Sequence, residues 1–266
     1  MTDSNPAVYF GKQVRKSRLA RGWNLAEFGQ RIGYDSGQIS RVENGRRAPT
    51  ELFAQQCDRV FPERDGWFSD FYAESRGWLA TPSWFRSWAP HERAATSLRV
   101  WTPGIIHGLL QTEDYARAVM MTERVADAVV TERLSARMAR QGAVLLRDEP
   151  PSAWFLVDGA ALRRCVGSPE IMAGQLRHLA GLARLPHVTI QVMPEIEHAG
   201  LLGGFVVAGT IAAYAESVVS GQVFEDSGTV SALLARFDTI RSEALRASDT
   251  LALLDQGWQH SGLAEI

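Results

Sequence analysis

Apolar side chains recur at helical spacing through Phe10, Val14 and Leu19, with lysines and arginines between them, so residues 10–21 are expected to form a helix that buries one side. Gly22 ends it, since glycine readily takes the left-handed conformation that closes helices. Asn24 with Glu27 three residues on is a capping-box pattern, which opens a second helix from Leu25 to Ile32 with Leu25, Phe28 and Ile32 inward. After the tight turn Gly33-Tyr34-Asp35, the pair Asp35 and Gln38 repeats that pattern ahead of a third helix reaching about Asn44, with Ile39 and Val42 inward. Two short helices joined by such a turn leave the polar face of the second projecting, the geometry that enters a major groove. Thr50 caps a fourth helix to Val60, and Pro62 is placed to open a fifth toward Tyr72 through Trp67, Phe68 and Phe71.

From Trp78 the texture changes. Trp78, Trp84, Phe85 and Trp88 crowd around Pro82 and Pro90, as an interdomain core, an interface or a pocket wall. A strand at 98–102 and helices at 112–121 and 130–146 follow, the latter with Thr131 near its start. Ser152 to Val157 reads as a buried strand closed by Asp158-Gly159, and Ser168 to Leu185 as a helix with Met172, Leu176, Leu179 and Leu182 on one side. The period then falls to two over His187–Met193, Phe205–Val207, Ile211–Ala215 and Val218–Phe224, the signature of strands. Helices over Val230–Arg246 and Asp249–Leu254 close the chain. The expected architecture is multidomain: an N-terminal all-α five-helix domain over 1–75, a C-terminal α+β domain with a small, mostly antiparallel sheet over 76–256, and a flexible tail over 257–266.

With 266 residues the chain can bury two cores, and its net charge of -2 conceals an uneven distribution. Between Phe10 and Arg47 nine basic residues (Lys12, Arg15, Lys16, Arg18, Arg21, Arg31, Arg41, Arg46, Arg47) face three acidic ones (Glu27, Asp35, Glu43), a local excess of +6 that attracts a polyanion. No apolar run is long enough for a membrane span and no secretory pattern opens the chain, so a cytoplasmic location is expected. Cys57 and Cys165 are too few for a disulfide framework or a zinc site and read as small hydrophobes; neither metal nor cofactor is expected. His107, His178, His187 and His198 stand in no metal-binding spacing with Asp158, Glu195, Glu197, Glu216, Glu225 or Asp226, and no G-x-S-x-G elbow or P-loop occurs, so no catalytic residue is assigned. Gly200-Leu201-Leu202-Gly203-Gly204 lacks the strand and helix of a nucleotide motif and reads as a mobile hairpin loop.

The third helix is the reading element, with Ser36, Gly37, Gln38 and Arg41 outward. Gln38 can pair with adenine and Arg41 with guanine, although capping Asp35 competes for the Gln38 side chain; Gly37 permits close approach. Lys12, Arg15, Lys16, Asn24, Asn44, Arg46 and Arg47 are the candidates for positioning contacts to phosphates. Arg18 and Glu43 fall at the edge of the apolar pattern, where a salt pair would lock the reading helix to its scaffold.

The stretch FGKQVRKSRLARGWNLAEFGQRIGYDSGQISRVENGRRAP (10–49), most of all Ile39 to Gly45, resembles the XRE-type, or lambda-repressor-like, helix-turn-helix family. The resemblance implies a five-helix domain with its third helix in the major groove, Ser36, Gly37, Gln38 and Arg41 at the base-reading positions, Arg18 and Glu43 as an internal salt pair, and Arg46 and Arg47 in a phosphate-contacting loop. Leu25 replaces a frequent glutamine, which removes a side-chain phosphate contact, and Gly29 replaces a frequent alanine, a small-for-small change. Residues 79 to 254, with GLLQTEDYARAV (108–119) and HLAGLARLPHVTIQVMP (178–194), resemble the DUF5753 domain of actinobacterial regulators. That resemblance implies a small DUF397-type protein as a partner and leaves the signal open. Three roles stand for the large domain: dimerisation into a homodimer on double-stranded DNA, sensing of a small-molecule effector, and docking of a protein. The rival readings are an antitoxin-like protein-interaction bundle for the helix-turn-helix, and unrecognised enzymatic activity in the large domain.

Overall fold

In the computed structural model, which describes residues 6–79, 83–217 and 220–256, the first helix α1 (Pro6–Ala20) begins ahead of the expected start. Proline at the head of a helix gives up no hydrogen bond that the helix needs. The buried stripe is Ala7, Phe10, Gly11, Val14, Ser17 and Arg18. Leu19 falls one position off this stripe and is 56% exposed, so its assignment to the apolar side is corrected. Helices α2 (Leu25–Ile32) and α3 (Ser36–Glu43) both carry complete capping boxes, from Asn24 with Glu27 and from Asp35 with Gln38. Gly33 closes α2 in the left-handed conformation. Thr50 caps α4 (Glu51–Val60) as expected.

The fifth helix departs from expectation. Pro62–Arg64 forms only a 3-10 turn, and the positive φ of Asp65 and Gly66 breaks the chain before α5 (Trp67–Leu79) begins. The Asp58 carboxylate of α4 caps α5 from outside, accepting from Phe68 N at 3.0 Å and Ser69 N at 2.8 Å. These five helices lie in the first compact unit (Met1–Pro82), around Phe10, Phe28, Ile39, Phe53, Phe61 and Phe68.

Two glycines set the helix spacing there. A Cβ on Gly11 would stand 2.2 Å from the Val42 carbonyl oxygen, and one on Gly29 would stand 2.3 Å from that of Tyr34. The small-for-small reading of Gly29 therefore needs correction, because even alanine meets backbone at this spacing. Gly11→Ala is expected to lower stability by about 1–3 kcal/mol, since overpacking against backbone has no flexible atom to yield. A urea midpoint unchanged from wild type would show that α1 and α3 separate freely.

The second unit (Ser83–Ile266) opens with α6 (Ser83–Ala94). Strand β1 (Ser97–Thr102) is joined to β2 (Ser152–Asp158) through α7 (Glu113–Met121) and α8 (Asp127–Leu145), and β2 to β3 (Val188–Met193) through α9 (Gly159–Arg163) and α10 (Pro169–Leu182). Helical crossovers of this length make the three strands parallel. Then β4 (Phe205–Ala208), β5 (Ala212–Glu216) and β6 (Gly221–Phe224) add antiparallel ladders, in the order β3-β2-β1-β4-β5-β6. The sheet is one mixed sheet in which antiparallel pairings outnumber parallel ones, and it includes the two early strands. Helices α11 (Ser227–Ser242) and α12 (Ala247–Gln256) close the described chain.

Alternation divides the core. Val100, Phe155, Ile190, Val206 and Tyr214 share one face, with Trp88 of α6, while Trp101, Leu156, Phe205 and Val207 pack with Val230, Phe237 and Ile240 of α11 on the other. The outer edge of β3 is occupied: Val192 N donates to Thr250 Oγ1 at 3.1 Å, Val192 O accepts from Leu245 N at 2.9 Å, and Val188 N donates to Leu185 O at 3.1 Å.

Several local readings change. Helix α8 starts at Asp127, so Thr131 lies inside it. Gly200 is buried under Trp101, whose indole N–H donates to its carbonyl at 2.9 Å, so the glycine-rich segment is partly packed rather than a free hairpin loop. Cys57 is buried but Cys165 is exposed. The expected tail 257–266, the start of the last strand at Val218, and the side chains of Trp78 and Trp84 lie outside the described residues. Among the described residues no helix is long and apolar enough to cross a membrane, and no group of side chains is placed to hold a metal ion.

Candidate nucleic-acid interface

Helix α3 is fixed at both ends. At its start Asp35 Oδ1 accepts from Gln38 N at 2.8 Å, while Gln38 Oε1 accepts from Asp35 N at 3.3 Å. The competition foreseen for Gln38 is thus present: its carbonyl serves the cap, and the half-buried side chain sits beside Tyr34, Val42 and Arg47. Its amide nitrogen is left to meet a ligand. Ser36, Gly37 and Arg41 are exposed. A Cβ on Gly37 would lie 3.6 Å from Arg41 Nη1, so the arginine lies back along the helix over the position that lacks a side chain.

At the other end Gly45, left-handed at φ 66°, turns the chain so that Arg46 N and Arg47 N both donate to Arg41 O, at 2.8 and 3.0 Å. Both arginine side chains remain exposed beyond that turn. Asn44 donates to Ser40 O at 2.9 Å, and Asn24 Oδ1 accepts from Ala26 N and Glu27 N, so both asparagines spend part of their capacity on helix ends. Lys12, Arg15 and Lys16 are exposed on α1.

Arg18 and Glu43 meet as a fork, with Nε to Oε1 at 2.6 Å and Nη2 to Oε2 at 2.8 Å. Arg18 Nη1 also donates to Trp23 O at 2.7 Å, so one guanidinium ties α1 to the last turn of α3 and to the turn before α2. The two residues are 7% and 6% exposed, and the Glu43 hydrogen bonds raise the Arg18 pKa above its ordinary value. Together with the Gly11 contact, the pair leaves α3 little freedom to tilt.

Among the described residues the second unit gathers no histidine cluster. His187 pairs with Leu145 O, His198 Nδ1 accepts from Gly200 N, and Glu195 pairs with Arg163. Trp88 is fully buried, stacked on Tyr214 with ring centres 5.5 Å apart, and Phe85 packs edge-on to the same ring, so this part of the aromatic cluster is core of the second unit. Missed in the sequence was a polar cluster beside it. Glu92, 1% exposed, accepts from Arg140 Nε and Nη2 at 2.6 and 2.7 Å and from the Trp88 indole N–H at 3.2 Å. One turn before Arg140, Arg137 donates to Gln111 Oε1 at 2.7 Å. The available signal was a pair of arginines three apart on a helix whose other residues include buried Leu134 and Val144.

Residues 10–61 match a family model described as Helix-turn-helix domain, and residues 85–256, well over half of the chain, match one described as Domain of unknown function (DUF5753). No curated protein and no solved structure matches the chain.

Proposed function

We propose that this chain, which belongs to the DUF5753 family and carries a helix-turn-helix domain ahead of that domain, is a cytoplasmic transcriptional regulator that binds double-stranded DNA sequence-specifically. The observation that carries the reading is the clamped helix α3: Ser36, Gly37 and Arg41 are exposed on it, and Arg46 and Arg47 are exposed just past its end. A cationic edge supplies affinity by displacing counterions, and a rigid helix end supplies discrimination. Arg41 reads guanine, Gln38 contributes its amide donor, and Lys12, Arg15, Lys16, Asn24 and Asn44 position the duplex. One such helix covers a short site, so a homodimer presenting two of them to half-sites about one helical turn apart gains specificity. The DUF5753 domain holds the copies together, docks a small DUF397-type protein or takes an effector. No catalytic role is part of this reading.

Genome-fragment selection followed by footprinting identifies the site, and two variants test the contacts. Arg41→Ala is expected to relax preference at one base pair per half-site by about 1–3 kcal/mol. Arg46→Ala should weaken all sequences alike and flatten the dependence on salt. Failure of every genomic duplex to bind better than random DNA, with an interaction insensitive to salt, would favour the protein-interaction bundle instead.

A further inference from the structure

The polar cluster of the second unit holds a cation without a counter-charge. Glu92 neutralises Arg140, but Arg137 has only the uncharged oxygen of Gln111, bonded through Nη1. Among the described residues no carboxylate lies within ion-pair distance of Arg137, and exposed Glu216 at the end of β5 acts on it only through space. Burial, with Arg140 beside it, pushes the Arg137 pKa down to about 10. Its Nε and second terminal nitrogen make no hydrogen bond among the described residues. That edge of a guanidinium presents two parallel N–H groups, which match the two oxygens of a carboxylate.

Arg137 is half-buried rather than enclosed. Gly108 lets the two guanidiniums close in, since a Cβ there would already be in contact, 3.6 Å from Arg137 Nε and 3.5 Å from Arg140 Nη1. His107, one residue earlier, adds no charge: its Nδ1 accepts from Leu109 N at 3.3 Å, and burial near the two arginines holds its pKa well below the ordinary value. Near Arg140 and Glu92, Tyr214 is 3% exposed, and its hydroxyl, influenced by Glu216, lacks a well-formed hydrogen bond. His107 packs against Phe155 of β2 with ring centres 5.9 Å apart, which sets the cluster against the sheet face that carries Val100, Phe155 and Tyr214.

We propose that Arg137 anchors a binding site for a small-molecule carboxylate, held by the unoccupied edge of its half-buried guanidinium. With Arg140 neutralised by Glu92 and His107 neutral, one positive charge is left, which suits a singly charged carboxylate better than a doubly charged phosphate. The ligand's role as an effector rests on the regulator reading above, whereas its binding does not.

The test uses the full chain without DNA, so that its failure and a failure of DNA binding are separate results. Thermal unfolding is followed in sodium acetate, sodium benzoate, sodium phosphate and sodium chloride at equal ionic strength. Acetate or benzoate is expected to raise the unfolding temperature above chloride in wild type and in Arg133→Gln, which alters an arginine one turn earlier on α8 that is already paired with Glu123, and to lose that effect in Arg137→Gln. In parallel, phenylglyoxal, which attacks neutral guanidines, labels the wild-type protein and the sites are mapped by mass spectrometry. When acetate fills about nine-tenths of the sites, labelling of Arg137 should slow about tenfold while that of Arg133 does not change. This arm needs no variant, so it decides even if Arg137→Gln fails to fold. Stabilisation by carboxylates no greater than by chloride, equal stabilisation of Arg137→Gln, unprotected Arg137, or stronger stabilisation by phosphate would each overturn the proposal.

Discussion

Arg18→Ala is expected to destabilise the helix-turn-helix unit by about 3–5 kcal/mol, the cost of leaving one half of a buried ion pair without its partner. The alanine strands the Glu43 carboxylate at 6% exposure and takes the third guanidinium hydrogen bond away from Trp23 O. A domain's whole stability is only about 5–15 kcal/mol, so the loss is a large fraction of it. Amide exchange in urea at Phe10, Val14, Ile39 and Val42 reads the effect where it arises. DNA affinity should fall with it, because α3 loses its tether. Arg18→Lys keeps the charge but not the fork, and should recover only part of the loss. The double variant Arg18→Met, Glu43→Leu should recover most of it, since an apolar pair leaves no charge stranded. A single-variant loss below about 1 kcal/mol would place the pair with solvent-screened surface bridges.

Glu92→Ala should be equally severe in the other unit, again about 3–5 kcal/mol. Among the described residues its carboxylate is the only neutralising contact of Arg140, and it also receives the Trp88 indole N–H. Without it two cations, Arg137 and Arg140, stand close together in a poorly solvated place, and among the described residues Arg140 keeps only Phe85, whose ring lies 4.3 Å from the guanidinium carbon. Thermal unfolding and amide protection in β1 and β2 measure the loss. Glu63→Ala provides the contrast: it breaks the exposed, solvent-screened Arg21–Glu63 pair and should leave the unfolding temperature nearly unchanged. Comparable losses for Glu63 and Glu92 would mean that the inner pair is no better shielded than the outer one.

Legibility in the sequence followed the range of the interactions. Asn24 with Glu27 and Asp35 with Gln38 act within four residues, so the limits of α2 and α3 could be read directly. The stripe of α1 was readable at Phe10 and Val14, but Leu19 was assigned inward and Arg18 to the edge; only Glu43, far along the chain, makes Arg18 the better buried of the two. Pro62 carried a helix-start signal that Asp65 and Gly66 override by turning the backbone left-handed. In the second unit the alternation marked strands without naming their neighbours, which is why β1 and β2 were not placed in the same sheet as the later four. The Arg137 surroundings were hidden for a related reason: Gly108, Gln111, Arg137 and Glu92 come from three separate segments, and none has a suggestive spacing by itself.

The sealed flank of β3 has a consequence for how copies of this chain can stick together. With Val188 and Val192 engaged, too little backbone is left between them to template a foreign strand, so among the described residues β6 is the one edge from which the sheet can lengthen. An object with one adhesive side can be used once: two copies joined there exhaust each other, and growth stops at a pair instead of running on into a fibre.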